Sequence, residues 1–300
     1  MLPTLDAAAD APARAIAVVY PDIGEPYRSV FTTLIDGIED KLKSHVPSFA
    51  VGPTANAQEL STELRRRDIK SVIALGRNGL QVASQLDRSF SVITGGVLSV
   101  PEPEATTLSV LSLAPDPALL LAQLKTLMPE AKRVLVVYDP YQNGWLIRLA
   151  RDAAKSRGLE LVALEVHDLK TALRRYQDVL ASADPKRDAL WLPQDSTTVE
   201  DSAVLPLVLR EAWNQNIAVF SSSVAHVKRG ALFSLYPDNV ALGRTLAGWA
   251  LSAASLENPS ARGVQPLKDV LVAVNTRTAK HLGIRLESQQ QRFNMVFPEP

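Results

Sequence analysis

The chain has 300 residues, with 32 Lys plus Arg balancing 32 Asp plus Glu, 46% hydrophobic residues and no cysteine. At about 150 residues per domain this length suits two domains that each bury a core, and a net charge of zero gives no global basic field to attract nucleic acid or an anionic membrane. Without cysteine there is no disulfide, thiolate zinc site or catalytic thiol, and the longest stretch free of Asp, Glu, Lys and Arg, from Ala212 to Val227, carries Asn214, Gln215, Asn216 and three serines, too polar to insert directly into a membrane.

Residues 1–14 are expected to be a disordered segment. They lack the basic start and apolar stretch of a secretory signal, which fits either a cytosolic protein or an exported one whose signal Met1 replaces. From Ala15 onward, short apolar runs alternate with amphipathic segments. A-I-A-V-V-Y at 15–20 reads as a buried strand, and 27–43 then places Val30, Phe31, Leu34, Ile35, Ile38 and Leu42 at helical spacing. The alternation continues with strands at 48–51, 71–75 and 90–94 and helices at 57–67 and 78–86. Pro101, Pro103, Pro115 and Pro117 bracket an extended run at 106–113, a proline density suited to a connection between lobes.

A second series follows, with helices at 117–127, 144–157, 169–183 and 199–214, the last carrying Pro206. Its strands fall at 133–138, 160–166, 189–192 and 217–220. After an extended run at 232–235 come a long helix at 239–256, a strand at 270–274 and a small helix at 276–282. This order predicts an α/β fold of two Rossmann-like lobes with parallel sheets. Lobe one is expected to take 15–114 plus 240–300 and lobe two 115–239. A three-strand hinge is expected between them, beside a cleft suited to a small ligand.

Ligands of open α/β sheets bind beyond the carboxyl ends of the strands, so the polar residues there are the candidates. In lobe one they are Asp22, Arg77 and Asn78. In lobe two the first strand is followed by Tyr141, Gln142 and Asn143, the third by Asp195, Ser196 and Thr197, and the fourth by Ser222 and Ser223, with Tyr236 and Asp238 where the chain leaves the lobe. Tyr141 and Tyr236 sit where a ligand can stack. The loops precede helix starts, whose free N–H groups can hold an anion. Equally, Asn143, Thr197 or Thr198, and Ser223 can be ordinary N-caps for those same groups. Arg77 reads as a fork for a planar carboxylate or phosphate, or as a solvated loop charge.

Asp139 and Asp195 are conceivable as an acid–base pair. No histidine lies in the loops that carry them, however, and no G-x-S-x-G elbow occurs, so no catalytic residue is expected. His45, His167, His226 and His281 lie far apart without ligand spacing, and no cofactor motif is found, so neither metal nor cofactor is expected.

The second half carries a resemblance. K-R-V-L-V-V-Y-D-P (132–140), K-S-R-G-L-E-L (155–161), D-A-L-W-L-P-Q-D-S-T (188–197), I-A-V-F-S-S-S-V-A-H-V-K-R-G-A-L (217–232), Y-P-D-N-V-A-L-G-R (236–244) and V-A-V-N-T-R-T-A-K-H-L-G-I (272–284) resemble ABC transporter substrate-binding proteins of the tryptophan/tyrosine type. The resemblance covers roughly 115–284, and the first lobe only by pattern. It implies a type I periplasmic-binding-protein fold, three crossovers, and a small ligand enclosed on closure. It also implies a periplasmic or otherwise extracytoplasmic location, and delivery of an amino acid or related solute to a membrane permease with a separate ATPase. On this pattern Asp195 and Thr197 fall in a D-N-T-like pocket loop, and 141–143 on the loop after the first lobe-two strand. The chain departs from the pattern where Ser223 replaces an acid expected near a ligand amine, where Ser196 stands for asparagine, and where Arg77 replaces a small residue. These departures favour an acidic or neutral polar solute over a zwitterionic amino acid. The alternative they motivate is an envelope sensor or interaction module with a degenerate pocket.

Overall fold

The protein is described by a computed structural model over residues 15–98, 108–254, 262–286 and 293–298. The expected disordered segment 1–14 lies outside these residues. Two compact units emerge, one reaching Leu113 and including Asp238–Asp269, the other formed by Ala114–Pro237 and the residues from Val270. The chain therefore passes between units three times. No helix among the described residues is long and apolar enough to cross a membrane.

The described strands are numbered in chain order. In the first unit β1 (Ile16–Pro21), β2 (Ser48–Val51), β3 (Ser71–Leu75), β4 (Ser91–Val97) and β5 (Ser109–Pro115) are joined by β11 (Gly263–Leu267) in the sheet order β11-β5-β4-β3-β1-β2. Pairing from β2 through β5 is parallel, and the unbroken apolar runs of β1 and β3 are buried, as strands covered on both faces require. Helix Tyr27–Leu42 buries Leu34, Gly37, Ile38 and Leu42 and packs against helix Asn239–Ala254. Two glycines set this contact: a Cβ on Gly37 would lie 2.2 Å from Val240 O, and one on Gly243 would lie 2.2 Å from Leu34 O. The two backbones thus meet directly.

The second unit holds β6 (Arg133–Tyr138), β7 (Glu160–Glu165), β8 (Asp188–Leu192), β9 (Ala218–Ser221), β10 (Phe233–Pro237), β12 (Val270–Asn275) and β13 (Met295–Phe297), in the order β13-β12-β10-β9-β8-β6-β7. Five of these run parallel, while β12 pairs antiparallel with β10. Trp191, Phe220 and Phe233 are register partners across β8, β9 and β10. They are fully buried and stack at centroid distances of 6.4 and 5.2 Å, forming the middle of the core.

Three expectations need correction. The expected division places residues 270–300 in lobe one, yet β12 joins the second unit's sheet; an apolar run such as V-L-V-A-V-N pairs with either sheet equally well by its own pattern, and its partner is a tertiary choice. The helix expected from Gly144 begins at Pro140, because Asp139 caps it and proline suits the first helical position. Finally, the helix expected from Val199 begins at Val204, which leaves Pro206 in the first turn, where its missing N–H costs nothing. Glu200 accepts from Ser202 N and Ala203 N to shape the preceding turn.

Candidate functional site

The loops leaving β6, β8 and β9 meet at one end of the second unit's sheet. Asp195 is buried there and gathers donors from the loop after β6 and from its own loop. Its Oδ2 accepts from Asp139 N at 2.7 Å and Asn143 Nδ2 at 3.0 Å, and its Oδ1 accepts from Thr197 N at 3.0 Å and Thr198 N at 2.9 Å. A carboxylate placed this way ties the two loops together while capping the turn that follows it. Asp139 does the equivalent for its own helix: Oδ1 accepts from Tyr141 N at 3.0 Å and Oδ2 from Thr197 Oγ1 at 2.8 Å.

Gln142 bridges the same pair of loops. Its Nε2 donates to Thr197 Oγ1 at 2.9 Å, and its Oε1 accepts from Ser196 N and Ser196 Oγ, both at 3.0 Å. Asn143 also donates to Gln194 O at 3.2 Å. The structure thus brings Gln142, Asn143, Asp195, Ser196 and Thr197 together, and spends most of their hydrogen-bonding capacity on one another. Tyr141 stands outside this mesh, with 85% of its surface exposed.

After β9, Ser222 is buried and its Oγ accepts from Trp191 Nε1 at 3.2 Å, which ties the rim to the aromatic core. Ser223 is half-buried. Its backbone N–H donates to Ser221 Oγ at 3.0 Å, and that oxygen lies 2.7 Å from His226 Nδ1. This Ser221–His226 pair escapes a reading of the sequence, because helix Val224–Arg229 folds the histidine back over the strand end and no spacing rule announces it. The pair is a poor nucleophile–base couple. Ser221 is fully buried, and its Oγ is also bonded to Leu192 O at 3.1 Å. Burial holds the His226 imidazole below its usual range; Asp201 opposes that shift and Arg229 adds to it.

In the first unit, Arg77 and Asn78 lie in the first turn of helix Gly76–Ala83 rather than in a loop. Gly76 makes that turn with a φ of 66°, and a Cβ there would come within 2.8 Å of the Pro21 ring. Arg77 is exposed and has no ion pair among the described residues, and Asp22 is exposed at the end of β1. Asp238 caps helix Asn239–Ala254, its Oδ1 accepting from Ala241 N at 3.0 Å. Tyr236 is half-buried near the end of β10. No group of three potential metal ligands occurs among the described residues.

Comparison with known proteins gives the same family as the motifs. A family model described as ABC transporter substrate binding protein matches residues 119–291, more than half of the chain. A search of curated proteins finds no match. Among solved structures, the ligand-free, open form of a substrate-binding protein with adhesive properties from Clostridium difficile superposes with a TM-score of 0.65 at 18% identity, covering 93% of this chain and 98% of that one. A Streptococcus pneumoniae ABC domain in complex with L-Trp gives a TM-score of 0.55 at 18% identity, covering 94% and 99%. A conserved domain protein from Vibrio cholerae gives the same values. At this identity these likenesses establish the fold, a type I periplasmic-binding-protein architecture.

Proposed function

The chain belongs to the ABC transporter substrate-binding protein family, and from that premise we propose that it captures a small polar solute outside the cytoplasm and delivers it to the permease of an ABC-type importer. The observation that carries this reading is the polar rim of the second unit. Asp139, Asn143 and Asp195 lock the loops after β6 and β8 into one surface, so exposed groups such as the Tyr141 ring are presented on an ordered backbone, which lowers the cost of binding. In this reading Tyr141, Ser196, Thr197 and Ser223 contact the solute, while Asp195, Gln142 and Asn143 hold them in place. Arg77, exposed in the first turn of its helix, is proposed as a cation for a solute carboxylate.

One structural relative holds L-tryptophan. We infer a different solute class here, because Ser223 offers no charge to an ammonium group whereas Arg77 offers a donor fork to a carboxylate. Enclosing an ammonium without a partner is costly, and enclosing a carboxylate against a guanidinium is compensated. A thermal-shift screen of amino acids, organic acids, nucleosides and sugars tests the proposal, since a solute bound by the folded chain alone raises its unfolding temperature. The expected result is a rise with organic acids or neutral polar solutes. A response confined to aromatic amino acids contradicts the solute class, and silence across all classes contradicts solute capture.

A further inference from the structure

The second unit has a cavity of about 260 Å³ far from its rim. Phe233, which opens β10, pairs with Val274 near the end of antiparallel β12. The turn from β12 into helix Thr276–His281 therefore sits at the amino ends of the parallel strands, whereas Asp139, Asp195 and Ser221 sit at or just beyond the carboxyl ends. The cavity shares no residue with the rim.

Its lining carries three cationic side chains, Lys228, Arg229 and Arg277, arranged around Trp213 and Thr278. Among the described residues the carboxylate paired with any of them is Asp201, 3.3 Å from Arg229. Lys228 and Arg277 have no ion pair there, so the lining keeps an excess of two positive charges. The wall behind them is fixed. Asn275 Nδ2 donates to Val227 O at 2.9 Å, Asn275 Oδ1 accepts from Thr278 N at 3.0 Å, and Thr278 Oγ1 donates to Gly230 O at 2.9 Å. His281 stacks on Trp213 with centroids 3.7 Å apart, and the Arg277 guanidinium lies 5.7 Å from the same indole, which restrains its long side chain beside the cavity.

We propose that this cavity is a binding site for the dianionic phosphate of a phosphate monoester. Two uncompensated cations match the charge of about −1.5 to −2 that such a group carries at neutral pH, while a monocarboxylate leaves one cation unpaired. Arg277 supplies a planar fork for two oxygens, and Lys228 a point charge for the third. The volume falls below the roughly 300–1,000 Å³ of pockets that enclose drug-sized ligands, so the cavity suits a headgroup with the rest of the molecule outside. That headgroup belongs either to a soluble ester or to a phosphatidic acid in a lipid surface.

The test is calorimetry of the full chain with phenyl phosphate and with acetate, alongside flotation with phosphatidylcholine vesicles that contain or lack phosphatidic acid. The variants are the double substitution Lys228→Gln/Arg277→Gln and, as a control, Arg151→Gln on an exposed helix face. All three side chains are exposed, and a denaturant midpoint confirms that each variant folds. Binding of phenyl phosphate, weakened at least about tenfold (about 1.4 kcal/mol) by the double substitution and unchanged by Arg151→Gln, is the expected result. Binding confined to phosphatidic-acid vesicles, with the same loss in the double variant, supports the site and assigns its ligand to the lipid. Binding that survives the double substitution, acetate bound as tightly as phosphate, or no binding in either arm overturns the proposal.

Discussion

Asp195 illustrates what a single residue type leaves undecided. Its place at a strand end is legible, because the D-S-T-T run after an apolar strand marks a loop at the sheet's carboxyl edge. Its partners are not, since four of its hydrogen bonds come from Asp139, Asn143, Thr197 and Thr198, and two of those residues lie more than 50 positions away. Replacing Asp195 with Ala strips four donors of this acceptor, three of them in buried bonds. The expected loss of folding stability is about 2–4 kcal/mol by urea titration, against less than about 0.5 kcal/mol for exposed Ser196→Ala. Equal, small losses would show that the mesh does not hold the rim. His226 makes a second prediction. Burial lowers its pKa, so below about pH 6.5 the unfolded chain takes up a proton that the folded chain refuses. Stability from this residue is therefore complete above pH 6.5 and declines as pH falls toward the depressed folded value. Denaturant midpoints at pH 7.5 and 5.5 should differ more in the wild type than in His226→Gln, and an identical difference in both would refute the assignment.

Among the elements, those with a strong local period are legible in the sequence and those defined by distant partners are not. The helix Tyr27–Leu42 and strands β1, β3 and β6 announce themselves through apolar spacing within a single turn or pleat. Strands β11 and β13 and the short helix Val224–Arg229 give no such signal, because G-V-Q-P-L is broken by Gln265 and Pro266, and three residues of strand or about one and a half turns of helix carry too little periodicity to detect. The helix pair Tyr27–Leu42 and Asn239–Ala254 shows the same division: both helices are legible, while their backbone contact through Gly37 and Gly243 is not. Gly243→Ala places a methyl group against Leu34 O and should destabilise by about 1–3 kcal/mol. Gly248 lies in the same helix, and a Cβ added there would meet nothing within 4 Å, so Gly248→Ala should stabilise by about 0.5–1 kcal/mol. Matching changes at the two positions, read from urea titrations, would remove the close-approach explanation.

For the whole molecule, the fold class follows from strand–helix alternation, and the return to the first unit near Asp238 from the long helix after the second series. The division of the last segment does not, because β12 is antiparallel to its neighbour and so falls outside the alternation that predicts parallel order. The family model and the fold both point to an ABC transporter substrate-binding protein. The proposed solute class rests on two residues, the cationic Arg77 and the uncharged Ser223. The most direct test is isothermal titration calorimetry of the full chain with the solute selected by thermal shift, repeated with Arg77→Ala and Tyr141→Ala. Solute capture as proposed predicts one site per chain, with affinity reduced at least about tenfold by each substitution. A solute bound equally well by the wild type and both variants would contradict it.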